Sequence, residues 1–324
     1  MTDWKMRRRD LLRTLAGGAA MARLARAARL TRGHVCFITD EVNRDLSTAL
    51  QFAKEFGIRQ VELRNVDGKY CFRHDPAKLK EIHALLQEHG IHVAVLSTPI
   101  LKCILPGSTL KPGVEKQIKA AQKDLPVPDD QQVAQQMDYL HKAIDAARIL
   151  DTDMLRIFSY WRVEDPAKER PRIVEGLSRV AEAAEKEKIR LCIENEPSCN
   201  IANCTEAMAV LDRLPSRYLG INWDIANGAS TGETPYPDGF HLLDKKRIWH
   251  THIKGFCVDA DTKRHHTCAV GDGVLPYVEI FTALGKAGYA GALSMETHYS
   301  INGQREPASR RSMQGILKVI DQLA

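Results

Sequence analysis

From residue 34 onward, short apolar runs alternate with longer stretches whose apolar residues recur at helical spacing. HVCFITD (34–40), IRQVELRN (58–65), HVAVLST (92–98), DMLRIFSYW (153–161), IRLCIEN (189–195), YLGINWD (218–224), RIWHTHIKGF (247–256) and GALSMETH (291–298) read as strands. The stretches 45–57, 76–90, 133–150, 168–187, 205–214, 275–288 and 305–323 read as helices, with a shorter one at 239–247. Gly57 and Gly90 stand where the first two helices should stop.

Strict alternation of strand and helix predicts a parallel sheet. Eight such units in about 290 residues predict an α/β fold, a single (β/α)₈ barrel over 33–324. An open doubly wound sheet is the alternative, but no Gly-rich phosphate fingerprint follows the first strand. The segment 99–130, after the third strand, is too long for a passive connection and is expected to form a lid over the barrel mouth.

Charge adds a leader to this picture. The net charge of +5 comes from residues 1–32, where nine Lys/Arg face only Asp3 and Asp10. The remainder is slightly acidic, which gives no case for nucleic-acid binding. Arg8-Arg9-Asp10-Leu11-Leu12 resembles a twin-arginine export signal, and Ala25-Arg26-Ala27 a cleavage site. Arg23, Arg26 and Arg29 crowd that site, so an uncleaved basic leader is the alternative. The expected location is therefore periplasmic or otherwise extracytoplasmic, and cytoplasmic if the leader is not a signal. No apolar run reaches membrane-spanning length. Eight scattered cysteines without C-x-x-C predict no disulfide framework; Cys36, Cys192 and Cys257 read as small core residues. Cys199–Cys204 is the one pair to check.

In such a barrel chemistry gathers at the C-terminal strand ends. Glu194 and Glu196 end the fifth strand and share a face. Two like charges there need compensation. Asp224 ends the sixth strand, His250, His252 and Lys254 share a face of the seventh, and Glu296 ends the eighth. Four consecutive strands thus each offer one ligand-type group at one height. Three carboxylates and an imidazole predict one divalent cation, Mn²⁺ first, with Mg²⁺, Co²⁺ or Zn²⁺ as alternatives.

LCIEN, GINWDIAN, HTHIKGF, GDGVLPY (271–277) and GYAGALSMET, in this order, resemble the xylose-isomerase-like TIM barrels of the sugar phosphate isomerase/epimerase superfamily. The resemblance covers 34–322. It implies Glu194, Asp224, His252 and Glu296 as metal ligands, with Glu194 and Glu296 also moving the proton. Many members have His three residues after the metal Asp; here that position is Asn227, which bonds hydroxyls but does not titrate. The expected reaction is isomerisation or epimerisation of a carbohydrate by proton transfer next to a carbonyl, through an enediolate. A lyase or dehydratase acting on a keto-sugar or 3-keto-glycoside is the alternative. A metal-stabilised binding protein or partner subunit, or an apurinic endonuclease, is a more distant one. Homo-oligomer formation stays open.

Other residues carry weaker signals. Lys254 is expected to contact the substrate oxyanion, or else to be a solvated loop lysine. Glu196 is expected to bind a hydroxyl or to pair with a cation, and His250 to be a bonded core histidine. Glu62, Arg64 and Arg156 are candidates for a buried ion pair or, for Arg64, substrate binding. Tyr160 and Trp161 would stack on a sugar or pack under the lid. His265 and His266 are expected in an exposed charged loop.

Overall fold

The computed structural model describes residues 29–122 and 133–323, with the side chains of 120–122 left aside. The Arg8-Arg9 motif and the cleavage-like site lie outside the described residues, as do residues 123–132 of the expected lid.

The eight barrel strands are β1 (Val35–Phe37), β2 (Gln60–Leu63), β3 (His92–Ser97), β4 (Met154–Ile157), β5 (Arg190–Glu194), β6 (Leu219–Asp224), β7 (Ile248–Ile253) and β8 (Ala292–Met295). They pair in parallel in the order β1-β8-β7-β6-β5-β4-β3-β2. A single parallel bridge, Ile38 to Glu62, joins the two ends of the sheet and closes the barrel. The helices between them are α1 (Leu46–Phe56), α2 (Pro76–Glu88), α3 (Gln136–Ile149), α4 (Pro166–Lys186), α5 (Cys204–Leu211), α6 (Ile225–Ser230), α7 (Tyr277–Lys286) and α8 (Arg305–Gln322).

Local sequence explains where the helices begin. Asp45, Asp75 and Asp165 each cap a helix by accepting from the backbone N–H three residues on. Pro76 and Pro166 follow as first helical residues, where a missing N–H costs nothing. Gly57 ends α1 with φ 69°, a left-handed turn that favours glycine. The apolar stripes of the helices and the outer faces of the strands form one large core.

The barrel interior is different. Glu62, Ser97, Arg156, Asn222, His250, His252 and Ser294 are all buried there. Glu62 of β2 reaches His250 and His252 of β7, and those strands are not sheet neighbours, so the contact crosses the interior. Buried charge is tolerated only when paired.

Two expectations change. The seventh strand stops at Ile253; Gly255–Val258 then pairs antiparallel with His265–Cys268 as a hairpin. Gly255 makes this turn possible, because a Cβ there would strike the carbonyls of Cys268 and Ala269. Cys257 consequently leaves the core and is disulfide-bonded to Cys268. Cys199 and Cys204 are both free and buried. His265 and His266 are exposed, on the second hairpin strand rather than in a loop.

The part of 99–130 that is described packs onto the loop after β4. Leu110 bridges to Val163, and Val114 and Ile118 pack with Phe158, Trp161 and Cys199. Among the described residues, no helix is long and apolar enough to cross a membrane.

Candidate metal centre

Glu194, Asp224, His252 and Glu296 each offer one ligand atom, and these atoms lie within 4.8 Å of one another. All four residues are buried. Strand pairing sets this up: Asp224 stands beside His252 across β6–β7, and Glu296 N–H donates to Ile253 O as β8 ends. Asp224 is also the N-cap of α6, its Oδ1 accepting from Asn227 N–H, which leaves Oδ2 free to face the centre.

His252 Nδ1 lies 3.4 Å from Glu194 Oε1, 3.3 Å from Glu296 Oε2 and 3.6 Å from Asp224 Oδ2. None of these contacts is an aligned hydrogen bond: His252 Nδ1 is a buried atom without a hydrogen-bond partner, and Asp224 Oδ2 and Glu296 Oε2 have none besides the ion pair each makes with Lys254. Such an orphan is costly in a native interior. A divalent cation among them would satisfy all three, so the residues fit the expected group.

The orientation of His252 is fixed from behind. Its Nε2 lies 3.1 and 3.2 Å from the two oxygens of Glu62 and 3.0 Å from the Asn222 amide. Glu62 also accepts from His250 Nε2 at 2.8 Å and from Ser97 Oγ. A carboxylate only accepts, so it selects the tautomer that points the Nδ1 lone pair at the centre.

Cations surround the carboxylates. Lys254 Nζ lies 2.8 Å from Asp224 Oδ2 and 2.8 Å from Glu296 Oε2, and donates to Asn227 Oδ1 at 3.2 Å. At 4% exposure Lys254 is no solvated loop lysine. Arg156 Nε is 3.3 Å from Glu194 Oε2, and Arg64 Nη1 is 3.7 Å from Glu296 Oε1. His298 Nε2 is 3.0 Å from Glu296 Oε1. Burial pushes the Glu194 carboxyl up, but His252 and Arg156 outweigh it and hold it down to about 2. Burial disfavours the imidazolium of His252; Glu62, Glu194 and Glu296 more than reverse that and raise its pKa well above the histidine range.

The other expected site residues divide. Asn227 is in the site, its amide 3.5 Å from Glu194 Oε1 and bonded to Lys254. Glu196 is not among the clustered ligand atoms: its Oε1 accepts from Ser198, and Lys102 Nζ lies 3.8 Å from Oε2. Arg64 is engaged by Asp40 at 2.8 Å and Glu41 at 2.5 Å, because β2 ends at Leu63 and the next residue turns toward the β1 loop. Glu62 and Arg64 therefore do not pair with each other. Trp161 is 2% exposed and packs with Phe158, Val114 and Ile118, so it offers no open face for stacking. His250 is a bonded interior histidine.

Sequence reasoning missed the bond from Glu62 to His252, the Arg156–Glu194 pair, Lys102 over the Phe158 ring at 4.2 Å, and His298. Only His298 had a local signal. It follows Glu296 by two residues, as Lys254 follows His252.

Fold and site together define a β/α barrel with a buried three-carboxylate, one-histidine cluster at its C-terminal mouth. The family model described as "Xylose isomerase-like TIM barrel" matches residues 50–319, and the chain belongs to that family. An inosose dehydratase of Geobacillus thermodenitrificans (strain NG80-2) is 22% identical over 161 residues, 45% of this chain. That match spans only about half of the relative, 51%. Among solved structures, the IolI protein with a bound zinc atom superposes at TM-score 0.66 and 15% identity, covering 90% of this chain and 99% of that one. L-ribulose 3-epimerase superposes at TM-score 0.64 and 16% identity, over 89% and 95% of the two chains. At these identities the likeness is one of fold.

Proposed function

We propose that this chain is a divalent-cation-dependent sugar isomerase or epimerase that moves a proton on the carbon next to a carbonyl. The observation that carries this reading is the convergence of four buried ligand-type atoms, from Glu194, Asp224, His252 and Glu296, within 4.8 Å of one another, with His252 Nδ1 unpartnered among them. A cation bound there, Mn²⁺ by the oxygen-rich donor set, would polarise the carbonyl and acidify the neighbouring C–H.

The chain's own residues do the rest. Glu194 and Glu296 lie on either side of His252, so one carboxylate takes the proton and the other returns it to the opposite face or the next carbon. Their surroundings differ. Glu194 is buried, enclosed by Arg156 and Asn227. Glu296 touches His298, which is 42% exposed and links it to solvent. Lys254 donates to the oxygen that gains charge, since its ammonium already sits between two ligand carboxylates.

A second reading is elimination. If a leaving group stands β to the carbanion, the same proton removal expels it, and His298 is the acid within reach of Glu296. The inosose dehydratase similarity supports this reading. One experiment tests both: the Mn²⁺-loaded protein is incubated in D₂O with a panel of ketoses and 3-keto-glycosides. Deuterium at the α-carbon with the sugar skeleton intact supports the first. Loss of water or glycoside supports the second. No exchange with any member, in protein that holds metal, sinks the proposed chemistry. Residues 1–32 are assigned to twin-arginine export by the same reading. An N-terminus at Met1 in protein from its own host would refute cleavage there.

A further inference from the structure

One wall of the barrel mouth carries positive charge that the metal chemistry does not use. A cavity of about 440 Å³ opens between the loops after β1 and β2 and the start of α8. Its lining includes Asp40, Arg44, Arg64, Tyr70 and Arg305. This size suits a small ligand or one end of a sugar.

Its charges are unevenly matched. Asp40 is fully engaged, accepting from Arg64 and from the backbone and side chain of Asn65. Arg64 is held by Asp40 and Glu41. Arg305 is half-exposed and only loosely held, Nη1 lying 3.6 Å from Glu41 Oε2 and 3.3 Å from the Asp40 carbonyl. Arg44 is exposed and has no hydrogen bond or ion pair in the described structure. Arg44 and Arg305 also border a second hollow, but there the further cation, Arg310, is already bonded to Glu55 and Glu306. On the Arg64 side the two arginines share one cavity with Arg64 and Tyr70. The Arg64 guanidinium lines this cavity and lies 3.7 Å from Glu296 of the metal centre.

We propose that this cavity is an anion subsite, in which Arg44 and Arg305 hold a terminal carboxylate or phosphate of the sugar whose carbonyl end reacts at Glu194 and Glu296. The inference rests on the proposed function and narrows it to acidic sugars. Arginine suits the task because its planar fork matches both anions, and two forks on one wall fix the sugar's orientation. Phosphate and carboxylate share this chemistry, and the test separates them.

The test uses three versions of one ketose: D-fructose, D-fructuronate and D-fructose 6-phosphate. Their binding to the full-length Mn²⁺-loaded protein is measured by calorimetry, in the wild type and in Arg44→Ala, Arg305→Ala and the double variant. At least one charged sugar is expected to bind ten-fold or more tighter than D-fructose, and which one identifies the anion. The gain should be lost in the double variant while D-fructose binding stays the same. Arg44→Ala alone should lose most of it, and it breaks no contact in the fold. Equal binding of all three sugars, no binding of either charged sugar, or a double variant that keeps the preference would overturn the proposal. Deuterium exchange on the same samples separates the two ideas. A charge preference without exchange keeps the subsite and sinks the proton-transfer reading; exchange without a preference does the reverse.

Discussion

The mouth of this barrel has two unlike halves. Strands β5 to β8 bring Glu194, Asp224, His252 and Glu296 together, a cluster with more negative charge than its own half compensates through Lys254. Strands β1 to β4 and their loops bring Glu62, Arg64, Lys102 and Arg156, which pair with residues of the other half, Glu62 across the interior and Arg156 from the neighbouring strand. The comparison teaches that the proposed ligand set is half of a site. Without Glu62 behind it, His252 has no fixed tautomer, and without Arg156 and Arg64 the carboxylates would be poorly balanced in a buried setting.

Four measurements break or sharpen this contrast, beginning with the largest effect. Asp224→Asn keeps the helix cap through Oδ1 but removes the charged Oδ2. Affinity for Mn²⁺, read by calorimetry, should fall at least ~100-fold, and the metal-induced rise in Tm should vanish. Retention of affinity within a factor of ten would mean that the β5–β8 half is not a ligand set.

Glu62 is not itself a proposed ligand but bonds one, His252, so Glu62→Gln tests the support behind the ligand set. It should weaken metal binding about 10–100-fold by releasing the His252 ring, and Glu62→Asp should restore part of the loss. An unchanged affinity would reduce β2 to packing. Tyr277→Phe comes next. The Tyr277 hydroxyl donates to Lys254 O at 2.6 Å, in a buried place. Its loss should cost about 1 kcal/mol in urea unfolding and leave metal affinity nearly unchanged. A large fall in affinity would promote Lys254 from charge partner to part of the binding set. The smallest effect is expected at Arg32–Asp321, an ion pair of similar chemistry with both side chains more than half exposed. Asp321→Asn should leave Tm and metal binding within experimental error, since water and salt screen such pairs. A clear loss would show that position in the mouth is not what gives the interior pairs their weight.

The ease of reading each half from sequence follows its geometry. Glu194, Asp224 and Glu296 each close an apolar run, and His252 alternates with His250 and Lys254 on one face of its run, so each was visible from its local pattern. Helix limits were visible too, because Asp45, Asp75 and Asp165 cap within three residues of themselves. The pairs made by β1–β4 had no such signal. Glu62 and His250 are 188 residues apart, and nothing near either one names the other. The hairpin after Lys254 hid in the same way: IRLCIEN and RIWHTHIKGF look alike as apolar runs, yet the second breaks because Gly255 lets the chain fold against Cys268 and Ala269. Trp161 at a strand end looked like a stacking surface; the segment before it in the chain covers its ring.

The order of strands and helices, the parallel barrel and the four ligand-type residues at its mouth were determined by local pattern alone. Period, capping and the polar end of a strand are all written within a few neighbouring residues. Which charges balance those four, how His252 is turned, that Cys257 meets Cys268, and that Arg44 and Arg305 share a cavity were decided only when the sheet closed. Those contacts join residues of different strands or loops, and their energies depend on distance and burial, which exist only in the folded barrel.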